Sequence, residues 1–150
     1  MRRIIKRDDG GVSVIVPAPK SRREDETEEE WLERVFTKAT PEGVEYIDVP
    51  TSEVPADRTF RNAWKKNGNG IEVDMPKARK IHMDRIRVKR NKKLAELDIP
   101  FMQAVENDDE VKKADIKVQK QALRDIPQTF DLTIATIPDE LKEMWPEELT

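Results

Sequence analysis

Part-way along this chain the spacing of apolar residues changes period, and that change restricts the folds open to it. Up to Pro50 the apolar residues fall in short runs, Arg3–Arg7, Val12–Val16 and Val44–Val49. Runs of this length, rich in β-branched residues and bounded by turn formers, suit strands. From Met75 to Asp125 the apolar residues recur at helical spacing instead. The chain therefore reads as α+β. Residues 1–50 form a small module of order β-β-α-β, residues 51–73 a connector, and residues 74–150 a helical region with a hairpin and a short final helix. Asp8-Asp9-Gly10-Gly11 joins the first two runs, and Asp-Gly and Gly-Gly pairs accept the positive φ of tight hairpin turns. Pro17 and Pro19 end the second strand by removing ladder donors. Thr27 and Glu30 have capping-box spacing, and Trp31, Leu32, Val35 and Phe36 share one face of the helix that follows. Pro41-Glu42-Gly43 stops it.

In the connector, Phe60 and Trp64 are four apart, which predicts a shared helical face supported by Ala63. Asn67-Gly68-Asn69-Gly70 is a break. It has no phosphate-loop pattern. Asp74 is a candidate N-cap, and Pro76 fits the first helical turn. Between Met75 and Leu97 the helix carries two apolar stripes. Ala78, Ile81, Val88 and Ala95 make one; Met83, Ile86, Leu94 and Leu97 make the other. A surface helix has one such stripe, so two predict contact on two sides, one with the chain's own C-terminal helices and one with the front module or another molecule. Val111, Ala114, Val118 and Ala122 form a single clean stripe, widened by Leu123, on a helix expected to end before Pro127. Met75–Leu97 and Val111–Asp125 are then the arms of an antiparallel hairpin, with Ile99–Val105 between them. Leu132, Ile134 and Ile137 suit an extended or loop segment. Thr136 as cap, Pro138 in the first turn and the acids after it predict a last helix over Pro138–Met144, closed by Trp145-Pro146.

Charge excludes less than the rare residues do. Charged residues make up 39% of the chain and the net charge is −3, but the charges are segregated. Residues 61–97 hold 12 basic and 4 acidic side chains, between a front block of 10 and 14 and a tail of 6 and 13. The basic block can pair with acids of its own chain, with another copy, or with nucleic acid. Its cations, from Arg79 to Lys93, spread around the helix without a continuous face, and no aromatics interleave with them for base stacking. There is no Cys and one His. That removes disulfides, a thiolate nucleophile and Cys-ligated zinc, and leaves His-based catalysis without partners. His82 reads as a boundary residue with one satisfied nitrogen. Glu24–Glu30 reads as favourable charge at a helix N-terminus, and Asn107-Asp108-Asp109 as a capped turn lacking the Gly and Glu of a calcium loop. No catalytic residue, metal ligand or cofactor site is expected. No apolar run approaches the ~18–20 residues of a membrane span, and residues 1–16 lack the apolar core of a signal peptide.

Several stretches together resemble a known group. They are Asp8–Val12, Val44–Asp48, Pro55–Trp64, Val73–His82 and Thr136–Lys142 with Trp145-Pro146. The chain resembles small proteins of tailed bacteriophages and prophages encoded in the tail-fibre and tail-assembly module, and its C-terminus is similar to tail-fibre assembly chaperones. The resemblance implies a phage tail accessory or assembly protein that binds a tail-fibre or baseplate component without catalysing a reaction. The alternative is a phage-encoded nucleic-acid-binding or host-directed regulatory protein. The implied place is the virion, or the host cytoplasm during assembly. From the residues themselves, the candidates for partner contact are the aromatics Phe60, Trp64 and Trp145 and the stripe residues Ile81 and Val88, with self-association possible.

Overall fold

The computed structural model describes residues 1–150 and divides after Asp74 into two compact units. The architecture is α+β. In the first unit, strands β1 (Arg2–Lys6) and β2 (Val12–Ile15) form the expected hairpin, helix α1 (Glu28–Ala39) follows, and β3 (Tyr46–Val49) pairs with the other edge of β1. The sheet order is β2-β1-β3, antiparallel throughout. Gly10 sits in the hairpin turn at φ 78°, a conformation in which a side chain is strained. The Thr27–Glu30 capping box is complete, each side chain bonding the other's backbone N–H.

Cross-strand register sorts the residues onto two faces. Ile4 lies opposite both Val14 and Ile47. Ile4, Val12 and Val49 form a buried cluster with Trp64, and Val14, Ile47, Ile71 and Val73 pack against it. The opposite face carries Arg3, whose guanidinium donates to both Asp48 oxygens at 2.7 Å and to Thr40 Oγ1 at 3.1 Å. It also lies 3.9 Å from the Tyr46 ring centroid and 4.7 Å from that of Phe36. One cation thus ties the end of α1 to β1 and β3 through charge-assisted bonds and ring faces.

Residues 51–73, expected as a connector, belong to this unit and hold a second hairpin, β4 (Trp64–Asn67) and β5 (Gly70–Val73). Phe60 and Trp64 do not share a helical face. A short 3-10 turn over Arg61–Ala63 separates them, and Trp64 opens β4 opposite Val73. Asn67–Gly70 is the hairpin's turn, with Gly68 at φ 55°, because an Asn-Gly pair between two pairing strands favours a tight reversal over a break.

The second unit is helical. Its elements are α2 (Met75–Glu96), α3 (Asp98–Glu106), α4 (Glu110–Thr129) and α5 (Pro138–Glu143). Helix α4 packs on both α2 and α3, and α2 also contacts α5. The turn between α3 and α4 places Asp108 at φ 53°, which Asp tolerates, and Asp109 Oδ1 accepts from Lys112 N as the N-cap of α4. Lys120 pairs with Asp98 and lies 5.1 Å from the Phe101 ring, linking α3 to α4. Helix α4 runs through Pro127 rather than stopping before it. Proline removes one donor near the helix end, where burial of Leu123 and Ile126 offsets the loss. Leu132–Ile134 is a 3-10 turn. Thr136 does not cap α5; Glu140 instead accepts from both the N–H and the hydroxyl of Thr136.

Candidate partner-binding surface of the helical unit

The faces of α2 and α4 decide which residues are left for a partner. In α2 the buried positions are Ala78, His82 and Ile86, each four apart. They run between the two expected stripes, so neither stripe is buried as a whole. Ile81, Met83, Leu94 and Leu97 are half-buried at the margins, and Val88 and Ala95 face out, Val88 with 72% of its surface exposed. The C-terminal segment covers the buried line. Arg79 Nη2 donates to the Ala135 carbonyl at 2.8 Å, and His82 Nε2 donates to the Met144 carbonyl at 2.7 Å. The Trp145 ring meets the imidazole edge-on at 4.9 Å, and the Lys89 ammonium lies 4.9 Å from its centroid. Ala135, Leu141 and Leu149 are buried. Burial, with the Arg85 cation nearby, holds the His82 imidazole below its ordinary pKa, against the Met144 carbonyl that favours the proton.

In α4 the expected stripe is reversed. The buried residues are Ile116, Leu123 and Ile126. Val111 and Val118 are 82% and 69% exposed, and Ala114 is exposed with them. At about 100° per residue the line Val111–Ala114–Val118 lies on the side of the helix opposite the buried one. Helix α3 does likewise: it buries Ala104 and turns Ile99, Met102 and Val105 outward. Where Val118 meets Ala122, the stripe enters a groove of about 370 Å³ between α4, the end of α2 and the C-terminus. Leu97, Val118, Ala122 and Leu123 line it, with Lys93 and Glu148 at its polar rim.

Single exposed apolar residues need no explanation. A line of them on each of two packed helices is different. Valine is also a poorer helix former than alanine, so Val111 and Val118 contribute little to the helix that carries them. The signal that could have found this surface is side-chain bulk, because Ile116, Leu123 and Ile126, spaced seven and three, form a larger-residue face than the Val/Ala stripe.

The five residues singled out from sequence are not brought together. Phe60 and Trp64 are buried within the first unit, at 3% and 4% exposure. Ile81 and Trp145 are half-buried in the second, and Val88 faces outward there. No helix is long and apolar enough to cross a membrane.

No curated protein and no solved structure matches the chain. Residues 83–148, which include all of α3, α4 and α5 and every residue named on the outward face and in its groove, match the family model described as phage tail assembly chaperone protein. The helical unit is thus similar, over most of its length, to phage tail assembly chaperone proteins.

Proposed function

We propose that this chain acts in phage tail assembly by holding a tail-fibre or baseplate component, without catalysing a reaction, through the outward apolar faces of α3 and α4. The observation that carries this reading is the Val111–Ala114–Val118 line, apolar yet exposed, inside the segment that matches the assembly-chaperone family. A chaperone must cover a partner's apolar surface until assembly and then release it. An exposed stripe without a deep pocket gives contact area without a rigid lock. Val88 and Trp145 remain in the reading, one outward on α2 and the other half-buried beside Lys89. The place of action is the host cell during assembly.

The test is co-expression of the tagged chain with candidate fibre and baseplate proteins, followed by pull-down. Wild type is compared with a Val111→Ser, Val118→Ser double variant. Both positions are exposed, so circular dichroism should show an unchanged fold. Retention of a tail protein by wild type and its loss from the folded variant is the expected result. Capture that the double variant leaves unchanged would remove this face from the reading. Failure to retain any tail component would remove the reading itself.

A further inference from the structure

The groove at the end of the α4 stripe adjoins a second hollow of different character. The groove, about 370 Å³, has Leu97, Val118, Ala122 and Leu123 for its walls and floor. The second hollow, about 230 Å³, is lined by Lys89, Lys92, Lys93, Glu96 and Leu149. Lys93 lines both, so the two form one track across the end of α2 and the middle of α4. Lys89, Lys92, Lys93 and Val118 are exposed, and Leu97 and Ala122 are half-buried. A partner therefore reaches the track without any rearrangement of the fold. Only Leu123 and Leu149, beneath it, belong to the core.

Folding does not account for the lysines. Lys89 stands three and four residues before Lys92 and Lys93, so all three share one face of α2. Like charges at those spacings cost a helix stability. One cation in the last turn is enough to meet the helix dipole. Lys92 and Lys93 form no ion pair, although Glu96 stands one turn further on and Glu148 lies at the groove's rim. The Lys89 ammonium lies 4.9 Å from the centroid of the Trp145 ring. An aromatic ring carries no net charge, so this contact holds the cation in place without neutralising it. An aliphatic groove and three cations that no acid of the chain neutralises therefore lie side by side.

We propose that this track binds an acidic segment of a partner protein that carries a bulky apolar anchor. The groove belongs to the α4 face already assigned to a tail component, so the inference rests on that reading and adds the partner's chemistry to it. The anchor, a leucine or an aromatic side chain, fills the groove against Leu97, Val118 and Ala122. Interfaces concentrate their energy in such anchors seated in pockets. Carboxylates beside the anchor meet Lys89, Lys92 and Lys93. The charges speed encounter and select the partner, while the anchor supplies most of the affinity. The same lysines repel a segment that is basic around its anchor. Nucleic acid fits less well, because the groove walls are aliphatic and lack the rings on which bases stack.

The probe is a short fluorescent peptide with a leucine pair between glutamates, titrated into the full chain and followed by anisotropy. Three comparisons accompany it: the peptide with serines for the leucines, the peptide with lysines for the glutamates, and a single-stranded DNA oligonucleotide. We expect saturable binding of the leucine–glutamate peptide alone, weakening as salt rises. A Lys92→Glu, Lys93→Glu double variant, at exposed positions and confirmed as folded by circular dichroism, should weaken it about tenfold or more. Reversal replaces two attractions by two repulsions, each on the scale of an exposed ion pair. Lys92→Gln, Lys93→Gln should weaken it by less, and it keeps the test in hand should the reversal unfold the helix. Absence of binding, equal binding of the serine or the lysine peptide, or an affinity that neither variant changes would overturn the proposal. Binding of DNA in place of the peptide would assign the lysines to phosphate and overturn it as well. None of these results bears on whether a tail component is retained through Val111 and Val118, so the broader reading stands or falls on its own pull-down.

Discussion

Leu123→Ala and Val118→Ala, five residues apart in one helix, should have opposite consequences. Leu123 is 2% exposed. Truncating a buried leucine to alanine loses transfer free energy and leaves a cavity, about 2–5 kcal/mol in all. Val118 is 69% exposed, so only about a third of its side chain is shielded from water. Two methyl-sized groups at ~0.8 kcal/mol each, scaled by that third, give a loss of roughly 0.5 kcal/mol. Replacing valine with alanine in a helix returns about the same amount through propensity. The net change at Val118 is therefore close to zero. Urea unfolding of the full chain, followed by circular dichroism at the helical band, reads chiefly the second unit. Leu123→Ala should lower its midpoint clearly, and Val118→Ala should leave it within error, both without a change in slope. A loss above about 1.5 kcal/mol at Val118, or losses of similar size in both variants, would refute the assignment of inner and outer faces. The proposed partner surface would fall with it.

Other perturbations test other parts of the structure. Thr27→Ala removes one half of the capping box and should destabilise the first unit by about 1 kcal/mol, read from urea unfolding by tryptophan fluorescence. Arg3→Lys retains the charge but loses the paired bonds to Asp48 and the flat contact with Tyr46 and Phe36; a loss of about 1–2 kcal/mol in the same assay is expected. His82 gives a pH signature. Its folded pKa lies below the ordinary value of about 6.5. On acidification below that point the unfolded chain takes up the proton first, so stability falls until the pH has passed the folded value, and it is fully present above about 6.5. Because this is the only histidine, His82→Gln should abolish that part of the pH dependence. A variant whose unfolding midpoint still drops as steeply between neutral pH and mild acid would show that other groups cause it.

The elements that could be read from sequence are those whose local chemistry and tertiary packing agree. The β1–β2 hairpin has its turn glycine, and α1 has its complete cap. The start of α5 has Pro138 in the first turn. The structure departs from the local pattern where tertiary contacts decide between local alternatives. Phe60 and Trp64 have helical spacing, yet the Asn67–Gly70 turn makes Trp64 a strand residue that completes the Ile4 cluster. In α2 the central buried position is a histidine, so a search for apolar residues finds the two margins and misses the middle. His82 is acceptable there because the Met144 carbonyl, sixty-two residues on, takes its N–H. Nothing near position 82 in sequence announces that bond. In α4 regular spacing of small residues outranked irregular spacing of large ones, and burial followed size. The outward face is therefore visible in the sequence as an apolar stripe, while its direction is set by the bulkier residues on the other side.

That direction bears on function. The C-terminal segment satisfies the inner face of α2 by placing Ala135, Leu141 and Leu149 in the core and by bonding through Arg79 and His82. The inner faces of α3 and α4 are closed by Ala104, Ile116, Leu123 and Ile126. The helical unit thus closes its core without Val111, Val118, Ile99 or Met102, and folding alone gives no reason for those side chains to be apolar. The helical unit thus carries one surface that its own fold does not use. The proposed role, holding a tail component until assembly, needs surface of this kind, apolar enough to attract a partner and shallow enough to give it up.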